Sequence, residues 1–184
     1  ALLGPNGAGK TTTVRLLDGV LAPDSGSSSV LGFDPAVEPD EVRRRTGVLT
    51  EHAGLDDRLT ATENLMTTAR IRGMDDVLAK RRVGELLERF GMSARADQLV
   101  VGASTGQRKR IALARSLLHD PEVLFLDEPT AGLDPDALRD VVGLIDSLAA
   151  EQGRTVVLCT HFLGEADELA DRMAMRHKGR LEAF

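Results

Sequence analysis

The sequence predicts an α/β protein whose parallel sheet is interrupted by one all-helical lobe, and three observations carry that expectation. Val123–Leu126 and Thr155–Cys159 are continuous apolar runs, as strands buried on both faces are. Segments with helical periodicity alternate with them, which calls for crossover connections between parallel strands. From Leu59 to about residue 117 no strand signal occurs.

Taken in order, Gly4–Thr11 is a Gly-rich loop running into a helix that carries Val14, Leu17 and Leu21, with Gly19 placed to end it. Ala22-Pro23-Asp24-Ser25-Gly26 is a turn signal, and Ser27–Phe33 follows as a short strand. Glu41–Arg45 belongs to a short helix whose arginine run reads as a solvated face, and Gly47–Thr50 is a buried strand delivering Glu51 and His52 to its end. Thr60-Ala61-Thr62-Glu63 has capping-box spacing and opens the lobe. A second helix carries Ala79, Val83, Leu86, Leu87 and Phe90, with Gly91 at its close; a third starts near Ser104 and runs through Ile111, Ala114 and Leu118. After the Val123–Leu126 strand, Asp134-Pro135 supplies an N-cap and first residue for a helix bearing Leu138, Val141, Val142, Ile145 and Leu148. The Thr155–Cys159 strand, a helix over Gly164–Ala170 and a hairpin turning at Lys178-Gly179 complete the chain.

At 184 residues the chain suffices for one ordinary core. Its 23 Lys and Arg against 29 Asp and Glu give a net charge of −6, which provides no global basic field for nucleic acid, so an anionic ligand must be held locally. A single cysteine, Cys159, excludes an internal disulfide and fits a reducing compartment; within its apolar strand it reads as buried and inert. No apolar run approaches the ~20 residues of a membrane-spanning helix. The opening Ala1-Leu2-Leu3-Gly4 reads as the start of a piece cut from something longer, and with no Tyr or Trp and five Phe, aromatic stacking is scarce. His52, His119 and His177 lack ligand-like spacing and read as surface groups.

Two clusters carry chemistry. Gly4-Pro5-Asn6-Gly7-Ala8-Gly9-Lys10-Thr11 fits the spacing Gly-x-x-x-x-Gly-Lys-Ser/Thr, in which glycines let successive N–H groups converge on phosphate at a helix N-terminus. Lys10 then reaches the β- and γ-phosphates, Thr11 offers a hydroxyl to Mg²⁺, and Thr12 adds an α-phosphate contact. Asp127 and Glu128 end the apolar strand, where ligands sit in open α/β sheets. There Asp127 can hold Mg²⁺ and Glu128 can deprotonate a water attacking the γ-phosphate.

These motifs, with Ser104-Thr105-Gly106-Gln107-Arg108-Lys109-Arg110, Leu124–Thr130, Ala131-Gly132-Leu133-Asp134 and His161 in that order, resemble the ATP-binding cassette of ABC transporters over essentially the whole chain. The resemblance implies a P-loop NTPase fold with a RecA-like sheet core (1–57 and 118–184) and an inserted helical subdomain (58–117). It implies ATP and Mg²⁺ as ligands, with Ser104, Thr105, Gly106 and Gln107 as the signature that closes over the ATP of a second cassette in a head-to-tail dimer. A serine and backbone amides at a helix start agree with that role, although Ser104 also suits a simple cap. Asp134 corresponds to the aspartate at the dimer seam while also capping its helix, and His161 to the histidine that contacts the γ-phosphate.

The chain departs from the family pattern twice. Glu51 stands where glutamine is usual at the strand end before the lobe, and the signature has Ala103 for leucine and Thr105 for the first glycine. Thr105 adds a Cβ where backbone approaches phosphate. Glu51–Leu65 is similar to cassettes of bacterial exporters of drugs, antibiotics or polysaccharides. The resemblance therefore implies the nucleotide-binding subunit of an exporter, hydrolysing MgATP to drive a separate membrane permease. The resemblance further implies a cytoplasmic place on the inner face of the membrane through the permease, a homodimer of cassettes, no nucleic acid, and the lack here of the upstream aromatic that stacks on adenine. The rivals are a soluble ABC ATPase acting on ribosomes or DNA, and a degenerate cassette that binds ATP with little turnover.

Overall fold

A computed structural model describes residues 1–150 and 154–183. Six strands form one sheet in the order β2-β3-β4-β1-β5-β6, with β1 Leu2–Leu3, β2 Thr46–Leu49, β3 Val123–Asp127, β4 Thr155–Thr160, β5 Ala174–His177 and β6 Arg180–Ala183. The pairs from β2 through β5 are parallel, and β6 pairs antiparallel with β5 through the hairpin turn at Lys178 and Gly179, both at positive φ. β1 sits between the strands that come late in the chain, Leu2 being in register with both Cys159 and Ala174.

β3 is apolar over Val123–Leu126, as burial of every residue in it requires, and its last residue, Asp127, is a buried carboxylate at the strand end. Leu124 and Leu126 join the larger core with Leu49, Ile111, Leu113, Ile145 and Leu158, while Val123 and Phe125 join the smaller one with Val14, Val42 and Cys159. Alternate side chains thus feed two layers. Helices α1 (Lys10–Leu17) and α2 (Pro39–Arg45) cover the smaller core, and α5 (Thr105–Ser116) and α6 (Pro135–Ala150) pack on the larger. Cys159 is fully buried, and that burial drives its thiol up to about 12.

The larger core continues into the lobe of α3 (Ala61–Ile71), α4 (Asp76–Arg89) and α5, where Leu65, Ala69, Val83, Leu86, Leu87 and Phe90 fill the space between helices. The capping box is present: Glu63 N–H donates to Thr60 Oγ1 at 3.1 Å and Thr60 N–H to Glu63 Oε2 at 2.8 Å. α7 (Leu163–Leu169) follows β4.

Three expectations are corrected. Ser27–Phe33 is not a strand: Val30 and Phe33 exchange two backbone hydrogen bonds of 2.9 and 3.0 Å around Leu31 and Gly32, and the positive φ of both turns the chain back instead of extending it. Leu21 lies beyond α1, which stops at Leu17 before Asp18, and it is exposed. His119 is no surface group. It is half-buried with Nε2 2.8 Å from Thr46 O and Nδ1 buried and unpartnered, and burial followed by the charge of Arg72 lowers its pKa to about 4.

Candidate active site

The C-terminal ends of β1, β3 and β4 open on one cavity of about 520 Å³, lined by Pro5–Thr12, Glu51, Asp127, Glu128, Ala131 and His161. The loop after β1 enters α1 through Gly9, an N-cap at φ +95 that no β-carbon residue takes without strain. Because Gly9 has no side chain, the first N–H groups of α1 have no side-chain cap. They are the orphan donors every helix start carries, here aimed where an anion is favoured. The loop is buttressed from behind by the hairpin: Gly179 N–H donates to Ala8 O at 3.2 Å, and Arg176 reaches Gly9 O at 3.4 Å and the Thr13 hydroxyl.

Four charged or ionisable side chains converge beneath the loop. Lys10, 6% exposed, donates from Nζ to Gly4 O at 2.7 Å and lies 3.1 Å from Glu128 Oε1. His161 Nδ1 donates to the other oxygen, Glu128 Oε2, at 2.8 Å. Thr11 Oγ1 donates to Asp127 Oδ2 at 2.6 Å, so the two residues singled out for a metal meet across 116 positions of sequence. Asp127 Oδ1 is buried with no hydrogen-bond partner, as is Glu128 Oε1, whose contact with Lys10 is an ion pair rather than an aligned hydrogen bond.

Glu128 itself sits at φ +50, the left-handed region, which costs a non-glycine residue roughly 1–2 kcal/mol. Its backbone is held there from both sides: its N–H donates to Cys159 O at 2.9 Å, and its carbonyl accepts from Lys109 Nζ at 3.0 Å and Ala131 N–H at 3.3 Å. Lys109 was hidden in the basic run Arg108-Lys109-Arg110, which reads as solvated, yet it is 4% exposed and its Nζ also donates to Glu51 O at 2.8 Å. Burial lowers its pKa, with the charges of Glu51, Asp127 and Glu128 opposing. Its one sequence signal is spacing: it lies three and four positions before Ala112 and Leu113, which puts it on the inward face of α5.

Ser104, Thr105, Gly106 and Gln107 do not line this cavity. Ser104 caps α5, accepting from Gln107 N–H at 3.3 Å while its own N–H donates to Gln107 Oε1 at 2.9 Å, a second capping box legible as Ser-x-x-Gln. Thr105 is exposed at the first helical position, and Gly106 is buried where an added Cβ would lie 2.9 Å from the Cβ of Ala137 in α6. Thr105 lines a neighbouring cleft of about 310 Å³ with Glu51, His52 and Lys109. Asp134 caps α6, its Oδ1 accepting from Asp136 and Ala137 N–H at 3.1 and 2.9 Å.

Comparison with known proteins gives one answer. The ABC transporter family matches residues 1–131. The chain is 45% identical to the daunorubicin/doxorubicin resistance ATP-binding protein DrrA of Streptomyces peucetius, over 99% of this chain and 55% of that protein. It is 41% identical to the bacitracin transport ATP-binding protein BcrA of Bacillus licheniformis, over 97% of this chain and 58% of the relative. The chain thus spans somewhat over half the length of these relatives. Among solved structures it resembles cbiO1 from Clostridium perfringens, part of the ABC transporter complex cbiONQ, with a TM-score of 0.87 and 28% identity, covering 99% of this chain and 74% of that one. It equally resembles an ATP-binding cassette solved as a dimer in a post-hydrolysis state with ADP and Pi, with a TM-score of 0.88 and 26% identity over 99% and 82% of the two chains.

Proposed function

The chain belongs to the ABC transporter family, and from that premise we propose that it binds and hydrolyses ATP as the nucleotide-binding subunit of an exporter with a separate membrane permease. The observation that carries this reading is the convergence of Lys10, Thr11, Asp127, Glu128 and His161 beneath an uncapped helix start. The names of the relatives, which are resistance and transport ATP-binding proteins, support export. Among the described residues no helix is long and apolar enough to cross a membrane, which fits work delivered through a partner.

The loop amides of Gly4–Thr12 and the α1 N-terminus receive the β- and γ-phosphates, and Lys10 neutralises their charge. The cavity's own carboxylates, Glu51, Asp127 and Glu128, make backbone amides and Lys10 the anion-binding elements. Thr11 Oγ1 and Asp127 fit Mg²⁺: they are hard oxygen donors already in contact, and the partnerless Asp127 Oδ1 is a buried carboxylate oxygen in need of a ligand. The ion would supply charge neutralisation on phosphate oxygens. Glu128 takes the proton of the attacking water, and His161, bonded to its carboxylate, orients it. Glu51 contributes its carboxylate at the cavity edge.

Ser104–Gln107 lie outside the cavity of their own chain, which supports their use on the nucleotide of a second cassette, and we place Asp134 at the same seam. The lobe, residues 58–117, is the part we assign to docking on the permease, at the cytoplasmic face. In the full-length protein, Glu128→Gln should retain ATP binding and lower turnover by at least ~10²-fold, the scale of a lost general base. Hydrolysis near the wild-type rate would refute the assignment.

A further inference from the structure

A buried lysine whose ammonium spends its donors on backbone carbonyls is an unusual choice for a core position, since a charge is costly to desolvate and the long stem loses rotamer freedom. Lys109 joins three segments that are distant in sequence: α5, on which it stands; the stretch after β2, through Glu51 O; and the stretch after β3, through Glu128 O. The carbonyl it holds belongs to the residue at φ +50, so its bond fixes the peptide that aims the Glu128 side chain at Lys10 and His161. Five positions before it on the same helix is Ser104, the cap of the signature end. We propose that Lys109 is a positioning residue that locks the base Glu128 and the Glu51 segment to helix α5, so that displacement of the signature end is felt directly at the base.

The inference rests on Glu128 being the base. It makes α5 a lever with Ser104 at one end and Lys109 as the contact point, and it ties the helical lobe to the chemistry by two hydrogen bonds of 2.8 and 3.0 Å. The carboxylates facing the ammonium are those of Glu51, Asp127 and Glu128, so it also offsets part of the negative charge on that side of the cavity.

The test compares K109M, K109R, E128Q and the K109M/E128Q double variant in the full-length protein by ATPase kinetics, nucleotide affinity and thermal melting. K109M should lower kcat by about 10–100-fold, the scale of a reacting group misplaced by an ångström. KM and nucleotide Kd should stay within about twofold, and K109R, which keeps charge and donors, should recover the rate to within about threefold. In the E128Q background K109M should change the residual rate by less than about twofold, because a residue acting through the base has nothing left to position. If K109M melts below the assay temperature, K109Q carries the same comparisons. A wild-type kcat in K109M, an equal loss in both backgrounds, or a K109R variant as impaired as K109M would each overturn the proposal. E128Q turning over normally would instead remove the reading beneath it.

Discussion

In the helical lobe the starts of all three α-helices are closed by side chains: Thr60 and Glu63 at α3, Asp75 on Val77 and Leu78 N–H at α4, Ser104 and Gln107 at α5. Its buried amide, Asn64, accepts from Asp56 N–H and donates to Asp56 O and Thr60 O. At the strand ends the opposite holds. α1 starts without a side-chain cap, Asp127 Oδ1 and Glu128 Oε1 are buried without hydrogen-bond partners, and Glu128 is strained. The lobe's capping bonds are exposed, whereas the unpartnered carboxylate oxygens at the strand ends are buried, where an unmet hydrogen bond costs most. Among the described residues, two of the three buried unpartnered side-chain atoms, and one of the four strained non-glycine residues, gather at this one cavity, where an unsatisfied group or costly backbone is expected at a functional site.

That division can be broken most sharply in the lobe core. Leu65→Ala, at a fully buried position, should cost ~2–5 kcal/mol of unfolding free energy by denaturant titration while leaving the KM for ATP within about twofold. Affinity falling in step with stability would show that the two regions are not separable. Thr60→Ala and Ser104→Ala each remove a capping box and should each cost about 1 kcal/mol. Only Ser104→Ala should also lower ATP turnover; matched turnover in the two variants would reduce Ser104 to a cap. The smallest effect concerns His119. With a folded pKa of about 4 against an ordinary 6.5, the unfolded chain binds the extra proton first, so stability is lost as pH falls from 6.5 towards 4. Its neighbours Arg72 and Asp120 act in opposite senses on that shift. His119→Gln should flatten this part of the melting profile by less than the one-proton limit of about 1.4 kcal/mol per pH unit, since the ring is partly solvated. An unchanged slope would place the titration elsewhere.

What the sequence made legible was local. The apolar strand ending in Asp127-Glu128, the Thr60 capping box, Asp134-Pro135 at the start of α6 and the hairpin at Lys178-Gly179 all follow from spacing or turn chemistry within a few residues. The phosphate-loop residues and the carboxylates were likewise identifiable from spacing, and the structure brings them to one cavity. Lys109 was not legible, because a basic residue between two arginines looks solvated until α5 is laid against the loops it bonds. His119 failed for the same reason: the groups it meets, the Thr46 carbonyl and the charge of Arg72, are distant in sequence. Ser27–Phe33 failed differently, since β-forming residues at Val30 and Phe33 were outweighed by a turn at Leu31-Gly32.

The position of β1 has a consequence for synthesis. Leu2 and Leu3 find their sheet partners only at Cys159–Thr160 and Ala174–Met175, and the back of the loop that follows is braced by Gly179. At ~5–20 residues per second, translation from the first of these residues to the last takes roughly 10–35 s. α3, α4 and α5 have their mutual partners within one contiguous stretch and can settle early, whereas the loop's supporting strand is fixed only after long-range closure. The phosphate loop, which precedes the lobe in the sequence, is therefore set after it, and a ribosome-bound chain stopped before β5 would carry a folded lobe with no formed phosphate site.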